Sequence, residues 1–225
     1  MITVHHLNNS RSQRILWLLE ELEIPYEIKK YERDPVTFLA PKELKEVHPL
    51  GKSPVITVDD KVIAESGAII EFLLKEYGKG SFKIPTDEKA ILNLSYWLHF
   101  AEGSLMPPFV MKLVFDKIKN SPMPFFIKPI AKMIADKVMS SFVGPNIKGN
   151  LDFIESHLQK NEWFLGSEIS GADIQMSFPL EAGMSRIENK NDYPYILKFI
   201  EKIQKRRAYM TALDKGGDYD YASKN

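Results

Sequence analysis

Two residue pairs, Ser53-Pro54 and Glu65-Ser66, stand near the ends of one short stretch, Gly51 to Ser66, and carry the groups that a small anionic peptide needs. Ser53-Pro54 is a candidate cis bond, because cis peptides concentrate at X-Pro in tight turns. A turn of that kind would expose the backbone N–H and C=O of Ser53 to an extended partner. Ser66 opens an apolar, helix-period run and reads as an N-cap, so an anionic group is favoured beside it. Together the two pairs predict a site for an extended small peptide that bears a carboxylate.

The surrounding residues must hold those pairs a fixed distance apart. Val55–Val58 and Lys61–Ala64 are β-branched runs separated by Asp59-Asp60, the pattern of a tight hairpin. Upstream, Ile2–Leu7 reads as a strand ending in the cap-type run Asn8-Asn9-Ser10. Ile15, Leu16, Leu18, Leu19 and Leu22 then follow helical spacing until Pro25. Tyr26–Tyr31 reads as a second strand and Pro41–Val47 as a short polar helix. After Ser66, the residues Ile69, Ile70, Leu73, Leu74 and Tyr77 form one helical face that stops at Gly78. The order β-α-β-α-β-β-α predicts a mixed four-stranded sheet, its first pair parallel and its last antiparallel.

From Glu88 the pattern is helical throughout. Ala90, Ile91, Leu94, Trp97, Leu98, Ala101 and Leu105 form a stripe that Pro107-Pro108 is expected to break or kink. A second long helical segment, residues 129–160, is expected to bend at Gly144-Pro145. Ser170 and Asp173 stand at capping-box spacing and are read as structural. Beyond Lys215 the chain is polar. The resulting division is 1–80 for the mixed sheet with its helices, 81–87 for a linker, and 88–225 for an all-helical domain.

Composition narrows the chemistry. The 225 residues hold 30 basic and 30 acidic side chains, so no global charge points to nucleic acid. Cysteine is absent, which excludes disulfides, thiolate metal sites and a cysteine nucleophile. Any thiol chemistry must use a thiol that the substrate brings. His5, His6, His48, His99 and His157 show no metal-binding spacing, and no metal is expected. Gly51-Lys52-Ser53 is not the end of a phosphate loop, since Glu46 replaces the required first glycine and Pro54 blocks the following helix. No signal-peptide pattern or spanning apolar run is visible, so a cytoplasmic protein is expected. Six lysines against two aspartates between Phe109 and Val143 read as an ordinary helix surface, and membrane association is not expected.

The whole chain, with its motifs in order, resembles the cytosolic glutathione S-transferases, and most nearly bacterial and fungal serine-type members. The resemblance rests on residues Leu7–Arg14 with the following Ile-Leu-Trp-Leu-Leu-Glu-Glu-Leu, on His48–Pro54, on Ala64–Ile69 and on the Ser170-x-x-Asp173 cap. It implies a thioredoxin-like N-terminal domain, an all-α C-terminal domain and a homodimer. It implies glutathione as cosubstrate, conjugated to hydrophobic electrophiles in detoxification, with peroxide reduction as a side activity. A non-enzymatic scaffold, or a glutathione-dependent isomerase or dehalogenase, is the alternative.

Carried over residue by residue, Ser53-Pro54 pairs with the cysteinyl backbone. Glu65 and Ser66 hold the γ-glutamyl end, and Lys52 helps with the glycyl carboxylate. Ser10 matches the hydroxyl that activates the sulfur, with Asn9, Ser12 or His6 as alternatives in a shifted alignment. Leu105, Met106, Phe109 and Leu113 are expected to line the electrophile pocket.

Overall fold

The computed structural model describes residues 1–37 and 39–222, so the last three positions of the helical region lie outside the described residues. Four strands form one sheet in the order β2-β1-β3-β4. β1 (Ile2–Leu7) pairs parallel with β2 (Tyr26–Tyr31) and antiparallel with β3 (Val55–Val58), which pairs antiparallel with β4 (Lys61–Ala64). The mixed sheet is the expected one. Asp59 takes a positive φ of 54° in the two-residue β3–β4 turn, a conformation that Asp tolerates better than most residues.

Three helices accompany the sheet: α1 (Ser12–Glu21), the single turn α2 (Leu44–Val47) and α3 (Ser66–Tyr77). Helix α1 is buried on nearly all sides, Ser12 through Leu19 being inaccessible to solvent. Its apolar stripe faces the sheet and α3. Its other side meets the helical half, through α8 (Gly171–Met184) and α10 (Arg207–Gly216). Helix α8 is likewise buried along its whole length, so α1 and α8 are the two central rods of one continuous core.

The helical half departs from expectation at its prolines. Between α4 (Glu88–Phe100) and α5 (Met106–Asn120) the chain does not break; residues Ala101–Leu105 form a π turn that leads directly into Met106-Pro107-Pro108. The same device recurs between α6 (Lys128–Val138) and α7 (Gly144–Lys160), where Met139–Val143 is a π turn ahead of Gly144-Pro145. Proline lacks an N–H and its ring crowds the carbonyl four residues back. A locally wider turn removes that crowding and lets the helix continue. The carbonyl of Ser104, which faces the missing N–H of Pro108, accepts instead from Asn150 Nδ2 at 2.8 Å. Helix α9 (Pro194–Gln204) and α10 close the bundle.

Ser170 caps α8 as expected. Its backbone N–H and hydroxyl donate to Asp173 at 2.8 and 2.9 Å, and its oxygen accepts from the Ala172 N–H at 3.3 Å. Asp173 also accepts the Phe164 N–H at 2.9 Å, tying the incoming loop to the helix start. Among the described residues, no helix is long and apolar enough to cross a membrane, and no group of three or more His, Asp or Glu could hold a metal ion.

Candidate functional site

The Ser53-Pro54 bond is cis, and Ser53 is fastened to the neighbouring strand. Its hydroxyl donates to the His5 carbonyl at 2.8 Å and accepts the Leu7 N–H at 3.3 Å. Those two bonds set the turn before β3 directly against the end of β1. On the other side of the hairpin, Glu65 is exposed with φ 69° and ψ 122°. A left-handed φ at a non-glycine residue is costly and marks positions where function constrains the backbone.

Ser66 differs from its expected role. Helix α3 starts at Ser66 and its N-cap is Glu65, with no side-chain capping bond. The Ser66 hydroxyl is instead buried and accepts from Arg14 Nη2 at 2.6 Å. Arg14 is the hidden centre of the site. It is wholly buried on α1, and it donates to Ser66, to Glu102 in the first π turn and to the Gln175 carbonyl on α8. Arg11 donates from Nε to both Glu102 oxygens at 2.9 Å. Burial would raise the Glu102 carboxyl, but the charges and hydrogen bonds of Arg14 and Arg11 outweigh it and hold the group below its ordinary value.

Lys52, Ser53, Pro54, Glu65 and Ser66 line one cavity of about 270 Å³, together with Arg11, His48 and Glu102. A second cavity, of about 870 Å³, adjoins it through Arg11, Leu50, Lys52 and Ser53, and continues past Leu7, Arg33, Lys42 and Lys45. The five predicted binding residues therefore come together along one groove. The exposed Glu65 lines only the smaller cavity, while Lys42 and Lys45 line only the larger one, interspersed with Glu32, Asp34 and Glu43. Such a groove suits an extended molecule with an ammonium at one end and a carboxylate at the other.

The expected sulfur-activating residue is placed otherwise. Ser10 is 3% exposed and, like the half-buried Asn9, lines neither cavity; Arg11 alone of this turn reaches both. Its Oγ lies 2.8 Å from Ser12 Oγ and accepts the Ser12 N–H at 3.2 Å, so its hydroxyl closes the start of α1 inward. Ser12 Oγ in turn lies 2.9 Å from His6 Nδ1. Burial, helped by the Lys30 charge, pushes His6 down to about 4, so the imidazole is neutral at physiological pH. Ser10, Ser12 and His6 form a buried polar chain that fixes the β1–α1 turn. The outward side of that turn is presented by Asn9, half-buried at φ 49°, and by Arg11.

The expected pocket residues also separate. Leu105 and Phe109 are fully buried in the main core, and the Phe109 ring fills the space that a Cβ on Gly183 would take. Leu113 is half-buried on α5 and lines none of the described cavities of the groove. Leu105 and Phe109 point inward because the π turn adds a residue and turns the following helix face toward the core. Met106 alone lies beside the β1–α1 turn, clustered with Phe178 and Ala182 and covered in part by Tyr219 and Tyr221. The Arg11 guanidinium sits 5.3 Å above the Phe178 ring and joins this apolar cluster to the groove.

Arg11, Arg14, Glu102, Phe178 and the C-terminal Tyr219–Tyr221 were not evident from sequence patterns. One signal was available: Arg14, Leu18 and Leu22 share a spacing of four, which puts a charge on the buried stripe of α1.

Comparison with known proteins places the chain in a family. The family models described as glutathione S-transferase N-terminal domain and glutathione S-transferase C-terminal domain match residues 10–76 and 133–206. The chain is 38% identical to glutathione S-transferase 1 of Saccharomyces cerevisiae, over 96% of this chain and 95% of that protein. It is 39% identical to glutathione S-transferase 3 of Schizosaccharomyces pombe, over 97% and 89%. A solved glutathione S-transferase from Actinobacillus pleuropneumoniae superimposes with a TM-score of 0.80 at 35% identity, covering 98% of this chain and 95% of that one.

Proposed function

The chain belongs to the glutathione S-transferase family, and from that premise we propose how its groove performs glutathione transfer. The γ-glutamyl ammonium pairs with Glu65, and the γ-glutamyl carboxylate lies at the N-terminus of α3 beside Ser66. The cysteinyl backbone runs antiparallel to Ser53 at the cis turn, and Lys52 meets the glycyl carboxylate. The observation that supports this reading is the convergence of those five residues on one cavity.

The same placement sends the sulfur toward the β1–α1 turn. A thiol titrates near 8.5, so only a few per cent is thiolate at neutral pH. Lowering that value by about two units requires about 2.7 kcal/mol of extra thiolate stabilisation. With the Ser10 hydroxyl turned inward, we assign this role to the Asn9 amide, aided by the positive end of α1 and the Arg11 charge. The thiol proton passes to solvent. The thiolate then forms the C–S bond while the electrophile's leaving group departs with its electron pair.

The electrophile rests against the half-buried rings of Tyr219 and Tyr221, which cover the buried Met106 and Phe178. Hydrophobic electrophiles are therefore the substrate class, and their detoxification in the cytoplasm is the role that follows. A homodimer is proposed from an exposed, largely apolar stripe along α4, the π turn and α5, running through Leu92, Tyr96, Val110, Val114 and Ile118. Sedimentation at micromolar concentration should give twice the chain mass; a monomer would remove this assignment.

The central test uses the thiolate's ultraviolet absorbance in the glutathione complex, followed against pH. Asn9→Ala should raise the bound thiol's pKa by about one unit and lower conjugation of a nitro-activated aryl chloride about threefold at neutral pH. Ser10→Ala should leave that pKa in place. The reverse pattern would return the role to Ser10.

A further inference from the structure

The segment after α10 has a polar composition, yet three consecutive residues are each held by a different part of the protein. The Tyr219 hydroxyl donates to Glu181 on α8 at 2.8 Å. Glu181 also accepts from Gln204 at 2.8 Å and from the Tyr209 hydroxyl at 2.5 Å. Tyr221 stands edge-on to Phe178, with ring centres 5.8 Å apart, and its hydroxyl accepts from Arg186 at 3.0 Å. The Tyr219 and Tyr221 rings pack edge-to-face against each other at 5.3 Å. Asp220 is thus fixed between two anchored neighbours.

Asp220 reaches back across the whole chain to Asn9. Asn9 Nδ2 donates to Asp220 Oδ2 at 2.8 Å, and the Asp220 backbone N–H donates to Asn9 Oδ1 at 2.8 Å. An asparagine amide rotates through a broad, roughly two-fold torsional profile, so nothing local fixes which end carries the nitrogen. A carboxylate only accepts and a backbone N–H only donates. One orientation of the Asn9 amide satisfies both partners, and the flipped one satisfies neither. That grip uses the amide oxygen and one of the two N–H donors. It leaves the second N–H fixed in direction.

We propose that Asp220 is a positioning residue for thiolate stabilisation: it locks the Asn9 amide so that its remaining N–H faces the glutathione sulfur. This rests on the assignment of Asn9 to the sulfur made above. In this enzyme the C-terminal segment completes the thiol-binding turn instead of trailing from the last helix. A preset donor stabilises a forming charge better than one that must first rotate into place, since no reorganisation is needed at the moment of reaction.

The test compares Asn9→Ala, Asp220→Ala, Asp220→Asn and the double variant Asn9→Ala/Asp220→Ala, all in the full chain. The readouts are the pKa of bound glutathione and the separate values of kcat and KM. Asp220→Ala should raise the thiol pKa and lower kcat several-fold at neutral pH, with the KM for glutathione within twofold of the parent. Both Asp220 variants keep the backbone N–H, but Asp220→Asn also keeps a side-chain acceptor for Asn9 Nδ2 and should restore most of the pKa and of kcat. The double variant should be no worse than Asn9→Ala alone, because both changes act through one amide.

If Asn9→Ala raises the thiol pKa and Asp220→Ala does not, the positioning role of Asp220 is wrong and Asn9 stands. If Asn9→Ala has no effect on that pKa, the assignment of Asn9 fails and the role of Asp220 falls with it. A loss of thermal stability in Asp220→Ala with unchanged thiol pKa would make the segment purely structural.

Discussion

The two sides of the groove are built on different principles. The hairpin side, Gly51 to Ser66, takes its shape mainly from its own residues: the proline turn, two β-branched strands, the Asp59 turn and the start of α3. The β1–α1 side has little local structure to fix it. Its turn is secured by His6 and Ser12 beneath, by Glu102 from the π turn, and by Asp220 from 211 residues away. A stretch shaped largely from within needs few outside contacts to hold a tripeptide, here Ser53 on β1 and Ser66 on Arg14. A turn held from outside can tune a charge, because each of its neighbours contributes to the local field.

Arg14 links the two sides, so its loss should have the largest effect. Arg14→Met leaves Ser66 and the Gln175 carbonyl without their donor and leaves Glu102 with Arg11 alone. Removing one partner of a fully buried charge pair costs about 3–5 kcal/mol, and the loss here is smaller because Glu102 is part exposed and keeps Arg11. Chemical denaturation should show that loss, together with weakened glutathione binding. If binding and stability both survived, the two sides would not depend on a common support.

Glu65→Gln sharpens the contrast. It removes the charge proposed for the γ-glutamyl ammonium and should raise the KM for glutathione about tenfold, or about 1.4 kcal/mol. The pKa of the bound thiol should stay where it was. A pKa shift in that variant would mean that binding and activation are not separable between the two sides.

The smallest effect is on pH dependence. Burial raises the Glu181 carboxyl to about 7, against the pull of hydrogen bonds from Gln204, Tyr209 and Tyr219. Between pH 4.5 and about 7 the folded protein holds a proton on Glu181 that the unfolded chain has released. The contribution of this group therefore favours folding at low pH and is lost as pH rises through about 7. Glu181→Gln should flatten that part of the stability profile in thermal melts from pH 5 to 8. An unchanged slope would show that Glu181 is not the group that titrates.

What was legible in the sequence follows the same division. All four strands, the cis Ser53-Pro54 bond and the convergence of Lys52, Ser53, Pro54, Glu65 and Ser66 could be read, because each depends on neighbours a few residues away. The capping role of Ser66 could not be read correctly, since Arg14 is what occupies its hydroxyl. Nor could the inward turn of Ser10, which depends on Ser12 and His6. The pocket assignment came from the resemblance, which does not record that the helix runs on through Pro107-Pro108. A proline signals lost hydrogen bonding, but not whether the helix widens or stops in response. Tyr219–Tyr221 looked like a polar end because its partners, Glu181, Asn9 and Phe178, are contacts no local pattern records.

The π turn at Ala101–Leu105 carries a last consequence. It acts as one surplus residue inside an otherwise regular rod, and it is what lets Pro107 and Pro108 stand where they do. At this point the number of residues matters more than which residues they are. A methyl group added at Gly103 would meet open space, so the side chain there is free to vary. Shortening the turn by one residue would rotate the following helix, taking Phe109 off its inward face, and would press the Pro107 ring against the backbone. It would also swing Glu102 away from both arginines. In that helix, length is the quantity that the groove depends on.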